Sequence, residues 1–286
     1  MGITVVQKSD LSVRKPNPKI ALVLAGGAVT GGAFKLGGLK ALDDFLVNRK
    51  TTEFDTYVGL SAGAVLAAPL AAGVTPAEMI MSLDGRSEQF SQLRSLDFYN
   101  PNFSELFGRP AKLTLDTLTY LPGMIGDILA QLPEVANRLR TPLYDAARNP
   151  SLSALQAILA PLGEVLQQRR SLPSVLDYLP SGFFDNASIE RYLRYNFERS
   201  GRPNEFAALH RTTKKELYIS AMNLDTAERV VFGHDEDTSV TISEAVQAST
   251  ALPGFYRPAR LNGVDYVDGG VRRTANIDVA IEHHAD

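Results

Sequence analysis

Residues 55–68 (DTYVGLSAGAVLAA) constrain the fold more than any other stretch of this chain. A short β-prone run, Tyr57-Val58, enters Gly59-Leu60-Ser61-Ala62-Gly63, and an alanine-rich helical pattern follows. Strand, tight turn and helix form the setting that a G-x-S-x-G nucleophile elbow requires. The glycines on either side of Ser61 have a steric reason: such a turn presses backbone segments together, and a Cβ at either place would collide. Ser61 then stands at a helix N-terminus, where free N–H groups and the helix dipole favour developing negative charge. Alone, the pentapeptide reads equally well as a small-residue turn, so its meaning depends on the rest of the chain.

Upstream, residues 19–25 form a continuous apolar run of strand length, the pattern of a strand buried on both faces of a parallel sheet. The run enters Gly26-Gly-Ala-Val-Thr-Gly-Gly32. A helix is predicted from about Ala33 to Asn48, with Phe34, Leu39, Leu42 and Leu46 near helical spacing. Strand, glycine loop, helix, strand, elbow and helix in that order predict an α/β fold with a parallel sheet.

Residues 1–18 read as a loose leader. From about Ser87 to Gly182 the character changes, and residues 113–140 and 152–170 carry apolar positions at helical spacing. This region is expected to be a helical insertion, read equally as helices covering the sheet or as a lipid-facing lid, with residues 121–129 as a greasy surface. A capped helix is predicted to begin around residues 185–188, with Ser188 or Asn186 as cap and Ile189, Tyr192 and Leu193 on one face. Residues 216–223 and 228–233 read as paired strands. A helix over residues 242–249 leads to a hairpin turned by Asn262-Gly263, which delivers the chain into Asp268-Gly269-Gly270.

Composition removes several functional classes. The 286 residues are 44% hydrophobic and 21% charged, an ordinary soluble balance, and a net charge of −3 gives no footprint for nucleic acid. With no cysteine, disulfides, thiolate catalysis and cysteine-ligated metal sites are excluded. No signal peptide is expected, because the first 18 residues lack an apolar core. No run approaches ~20 apolar residues, so any membrane contact is expected to be peripheral. The sequence carries no signal for oligomeric state.

Three pieces carry chemistry together: Ser61 in its elbow, the Gly26-Gly27-Ala28 loop and Asp268 at a strand end. Small residues in the loop let successive N–H groups point into one concavity, which suits an oxyanion. The loop is not a P-loop, since no Gly-Lys-Ser/Thr closes it, and it lacks the G-x-G-x-x-G spacing of a dinucleotide site. A serine nucleophile needs a base, and the four histidines are His210, His234, His283 and His284. The order Ser61, Asp268, His283 or His284 mimics an α/β-hydrolase triad. Against it, a single strand and helix precede the elbow strand, and both histidines lie at the end of the sequence. A direct Ser61–Asp268 dyad fits the inventory better.

These residues resemble the patatin-like phospholipases. The matches are residues 24–42 (LAGGAVTGGAFKLGGLKAL), Gly59-Leu-Ser-Ala-Gly63, Ala248-Ser-Thr-Ala-Leu-Pro-Gly-Phe255 and Asp268-Gly-Gly270. The resemblance covers residues 19–86 and 183–286. It implies an α/β three-layer sandwich with a mostly parallel central sheet, one catalytic domain over 19–286 and a helical insertion over about 87–182. It further implies a cytoplasmic lipid acyl hydrolase acting on carboxylic esters, in peripheral contact with membrane and needing no metal or organic cofactor. Carried over by position, Ser61 is the nucleophile, Asp268 the base, and the N–H groups near Gly26, Gly27 and Ala28 the oxyanion hole. The alternative is a catalytically silent lipid-binding or interaction module with the same fold.

Two departures stand out. The family loop has a third glycine where this chain has Ala28, and a basic residue where it has Thr30, with one extra residue (Gly31 or Gly32) before the helix. Ala28 is tolerable there if its φ stays negative, and the lost basic residue removes a positive charge near the oxyanion. The chain also stops where the resemblance expects a further strand, so it reads as truncated at its C-terminus.

Overall fold

The computed structural model describes residues 16–115, 133, 137–142, 144 and 178–286. The expected leader up to residue 15, the greasy segment 121–129 and the helical pattern 152–170 lie outside the described residues. The chain divides into two compact units, Met1–Asn102 with Ser181–Asp286, and Phe103–Pro180. In the second unit residues 103–115 and 137–142 are helical. There the Phe103 and Phe107 rings stack at 6.0 Å, and Arg109 pairs with Glu105 one turn away at 3.0 Å.

The first unit runs β1 (Ala21–Leu24), α1 (Ala28–Phe45), β2 (Thr56–Gly59), α2 (Ala62–Ala71), α3 (Pro76–Leu83) and α4 (Ser95–Phe98). After the second unit come β3 (Gly182–Phe184), α5 (Ala187–Arg199), α6 (Phe206–Thr213), β4 (Glu216–Asn223) and β5 (Glu228–Phe232). The chain closes with α7 (Ile242–Thr250), β6 (Gly254–Tyr256), β7 (Ala259–Leu261), β8 (Val264–Asp268) and α8 (Ile277–Glu282).

The central sheet is mixed, which corrects the expectation of a mostly parallel one. β1, β2 and β4 pair in parallel, whereas β5 and β8 pair antiparallel with β4, and β7 antiparallel with β8. The physical reason lies in the connections. Residues 224–227 and Asn262-Gly263 are too short for a crossover and can join only antiparallel neighbours. Asn262 and Gly263 both take positive φ, 50° and 86°, as a primed hairpin turn demands. β1 also departs from expectation: it stands at the end of the strand order and is mostly half-buried, while β2 is buried throughout.

Alternation on the inner strands supplies the two faces. Tyr57, Leu217, Ile219 and Ala221 belong to the large core that α2 and α7 cover. Val58 and Tyr218 point the other way, into a smaller cluster with Val279 and Ala280 of α8. On α1 the buried residues are Leu36 and Leu39, whereas Phe34 and Leu42 of the expected stripe are exposed. The helix begins at Ala28 rather than Ala33. On α5, Ile189 and Leu193 are buried as predicted. Neither expected cap is made: the Asn186 side chain instead donates to Gln247 O at 2.7 Å, tying α5 to α7. Among the described residues no helix is long and apolar enough to cross a membrane.

Candidate active site

β4 carries both ends of the site on one edge. Ile219 pairs with Gly59 of β2 and with Phe232 of β5, so β2 and β5 flank opposite edges. Ala221 pairs with Asp268 of β8 and with Val230 of β5, so β8 occupies the same edge as β2. The last residues of β2 and β8 therefore meet tip to tip, separated by two residues of β4, about 6.6 Å of strand. β2 runs on through Leu60 to Ser61, and β8 ends on Asp268. A parallel and an antiparallel partner sharing one edge bring together residues far apart in sequence.

The elbow is tightly built. Ser61 has φ 54° and ψ −126°, a conformation that L-residues rarely adopt and that surrounding structure must hold. A Cβ on Gly63 would stand 2.0 Å from Leu24 O, and one on Gly59 2.6 Å from Ala64 Cα. Both glycines are needed for close approach, as the sequence predicts. The Ser61 N–H donates to Ser249 Oγ of α7 at 2.8 Å. Ser249 is fully buried and braces the strained turn. The signal was the Ala-Ser-x-Ala-x-Pro segment, which does not reveal the partner of its hydroxyl.

Asp268 is 3% exposed. Its backbone N–H donates to Ala251 O at 2.9 Å, and its Oδ1 accepts the Gly270 N–H at 2.8 Å. Burial holds the carboxyl above the usual carboxylate range, and hydrogen bonds from the Ser61 side chain and the Gly270 amide pull part of the way back. A Cβ on Gly269 would stand 2.9 Å from Leu60 Cδ1, so this glycine lets the Asp268 turn approach the elbow.

Gly26, Gly27 and Ala28 border the same space. A Cβ on Gly26 would meet Ser61 Cβ at 3.4 Å and Oγ at 3.9 Å. Gly27, the residue before α1, has φ 147°, a backbone suited to glycine. Ala28 has φ 51°, so the condition under which an alanine is easily tolerated there is not met. The extra residue expected before the helix is absorbed, since Gly31 and Gly32 both lie inside α1. Left-handed backbone at an alanine costs about 1–2 kcal/mol, less the flexibility a glycine adds to the unfolded chain. Ala28→Gly is thus expected to stabilise the protein by up to about 1 kcal/mol, measured as a rise in urea midpoint. Thr30 lines the site in place of the basic residue. A cation reaches the loop from elsewhere: Lys35 Nζ donates to Gly26 O at 2.7 Å and to Gly31 O at 3.2 Å. Sequence reading missed Lys35, because its reach to Gly26 depends on where α1 begins.

Ser61, Asp268 and the loop open on one cavity of about 970 Å³. The remainder of its wall is mostly apolar, with Leu36, Leu66, Met79, Phe90, Leu193 and Phe255 among the contributors. Of all its lining residues Asp268 is the only acidic or basic one. No histidine lines it, which rules out the triad order with His283 or His284. His283 instead stacks on Tyr218 at 4.0 Å and faces the Tyr218 hydroxyl at 3.0 Å and Glu236 at 3.1 Å. Among the described residues no group of histidine and acidic side chains could hold a metal ion.

A family model described as patatin-like phospholipase matches residues 22–281. The protein named probable lipid hydrolase 463L, of Invertebrate iridescent virus 6, is 22% identical over 272 residues, 94% of this chain and 66% of its own. Among solved structures, VipD from Legionella pneumophila is 16% identical, with a TM-score of 0.38 over 88% of this chain and 45% of its own. ExoU from the type III secretion system of Pseudomonas aeruginosa, solved with SpcU, is a second. It is 22% identical, with a TM-score of 0.32 over 82% of this chain and 38% of that chain. The chain thus spans just under two thirds of the viral relative and less than half of either solved chain.

Proposed function

Because this chain belongs to the patatin-like phospholipase family, we propose that it hydrolyses lipid carboxylic esters through a Ser61–Asp268 dyad. The observation that carries the reading is the meeting of β2 and β8 on one edge of β4, which sets a buried carboxylate beside an elbow serine at an apolar cavity. In this reading Ser61 Oγ attacks the ester carbonyl while its proton passes to the Asp268 carboxylate. The N–H groups near Gly26, Gly27 and Ala28 hold the oxyanion. Collapse expels the alcohol, which takes the proton from Asp268 and leaves an acyl-serine. Water then yields a proton to Asp268 as its oxygen attacks the acyl carbon. The fatty acid leaves and Ser61 recovers the proton.

The cavity fits an acyl chain, since its wall offers dispersion contacts and almost no charge. Phospholipids, lysophospholipids and neutral lipids all present the required ester. The same reading places the enzyme in the cytoplasm, in peripheral contact with lipid, as one domain over residues 19–286. That domain would have the family's three-layer arrangement and a helical insertion over about 87–182. A catalytically silent lipid-binding module is favoured by one observation, the loop's left-handed Ala28 beside Thr30 in place of a basic residue.

Hydrolysis of a para-nitrophenyl acyl ester series separates the two. Wild type is expected to turn over, with kcat/KM rising along the series by up to the equivalent of about 0.8 kcal/mol per buried methylene. Ser61→Ala, folded by circular dichroism, is expected to show none of this activity. Folded wild type no faster than Ser61→Ala on every ester, phospholipid vesicles included, would contradict the hydrolase and leave the silent module.

A further inference from the structure

Lys35 stands out as a cation with an unusual set of partners. It lies on α1, half-buried, and its ammonium donates to two backbone carbonyls, Gly26 O at 2.7 Å and Gly31 O at 3.2 Å. Among the described residues no carboxylate pairs with it in a salt bridge. Desolvation holds its pKa below the ordinary lysine value, so burying the charge has a cost that no anion offsets. A solvated surface lysine would carry no such cost. The location gives the arrangement a use.

The Gly26–Gly27 peptide is trans, as are all those described, and the C=O and N–H of a trans peptide point in opposite directions. With Gly26 O fixed on Lys35, the Gly27 N–H points away from Lys35. Gly26 and Gly27 both border the cavity, with Gly26 against Ser61, while Lys35 is not among the lining residues. We propose that Lys35 is a positioning residue that holds the Gly26–Gly27 peptide with its N–H aimed at the developing oxyanion, supplying from within α1 the positive charge that Thr30 does not. The inference rests on the hydrolase reading above. A peptide between two glycines has little intrinsic preference for one orientation, and a flip would turn a carbonyl toward the oxyanion. The ammonium on Gly26 O opposes that flip, and it polarises the peptide so that its N–H becomes a stronger donor.

The test compares wild type, Lys35→Met and Lys35→Arg, each normalised to the titre of reactive Ser61 obtained with a fluorophosphonate. The readouts are kcat, KM and the inhibition constant of an alkyl trifluoromethyl ketone, which forms a tetrahedral oxyanion on serine. Losing an oxyanion donor outright costs about 10²–10³-fold in kcat. Lys35→Met is accordingly expected to lose at least ~10-fold in kcat and a similar factor in ketone affinity, with KM unchanged and partial recovery in Lys35→Arg. If Lys35→Met fails to fold, Lys35→Gln carries the same readouts and the same expectation. Unchanged kcat and ketone affinity in a folded neutral variant would overturn the proposal, while wild-type turnover keeps the hydrolase reading intact. Equal losses of kcat and ketone affinity in the Arg and neutral variants would also overturn it, since shape rather than charge would then matter. Wild type without turnover or labelling would overturn both.

Discussion

Asp268→Asn is expected to abolish turnover, by about 10⁴-fold, while giving a protein that melts no earlier than wild type at pH 7. The two halves share one cause. Asp268 is 3% exposed, and burial raises its pKa above the carboxylate norm, with the Ser61 and Gly270 hydrogen bonds only partly opposing that. A carboxyl with a raised folded-state pKa keeps its proton longer in the native than in the unfolded chain. Between the unfolded value, about 3.9, and the folded one, the native state binds more protons, so stability falls as pH rises through that window. Above the folded value the full penalty of the buried charge is present. Asparagine keeps the shape and the acceptor for the Gly270 N–H but has no charge to bury. Thermal melts of both proteins from pH 3 to 8 check this: the variant's advantage should vanish below the unfolded pKa and be greatest at neutral pH. In wild type the same raised pKa sets the acid limb of kcat/KM, and activity should be lost as pH falls through a value above the ordinary aspartate range. A stability curve in which Asp268→Asn loses its relative standing as pH rises would contradict this account of the base.

Gly63→Ala is expected to be the most damaging single methyl group that can be added near the site. The new Cβ would fall 2.0 Å from Leu24 O and 2.7 Å from Ala25 O. The Leu24 carbonyl cannot swing away freely, because it accepts the Leu60 N–H at 3.0 Å and so ties β1 to the elbow. Relief requires either separating α2 from the end of β1 or breaking that bond, and both displace Ser61. The expected cost is at or beyond the upper end of the ~1–3 kcal/mol typical of overpacking, with any folded fraction inactive. Gly38→Ala on the exposed side of α1 is the matched control. Nothing lies within 4 Å of the added methyl, and the helix should gain about 0.5–1 kcal/mol. Urea denaturation of the pair would contradict the close-approach argument if Gly63→Ala matched wild type.

Features set by local chemistry could be read from the sequence. The elbow glycines, the Asn262-Gly263 turn and the antiparallel pair of β4 and β5 follow from steric and turn rules acting over a few residues. The pairing of Ser61 with Asp268 was legible from the inventory of bases and the resemblance. The means of their meeting was not, because it depends on β2 and β8 sharing one edge of β4, a pairing between distant segments. The mostly parallel sheet failed as an expectation where hairpins set strand direction in the last third of the chain. The start of α1 was misplaced by five residues because Gly31 and Gly32 read as loop. Once the helix begins at Ala28, Lys35 comes within reach of Gly26. Ser249 shows the same limit: its segment was noticed, but the bond from its hydroxyl to the Ser61 amide crosses from α7 to the elbow and leaves no local trace.

The central claim is that Ser61 becomes acylated. The most direct measurement is mass spectrometry of the wild-type protein quenched in acid during turnover of a para-nitrophenyl acyl ester, followed by peptide mapping. The account predicts one acyl group per chain, on the peptide containing Ser61 and absent from Ser61→Ala. Steady turnover with the acyl group on another residue, or with Ser61→Ala equally active, would contradict it.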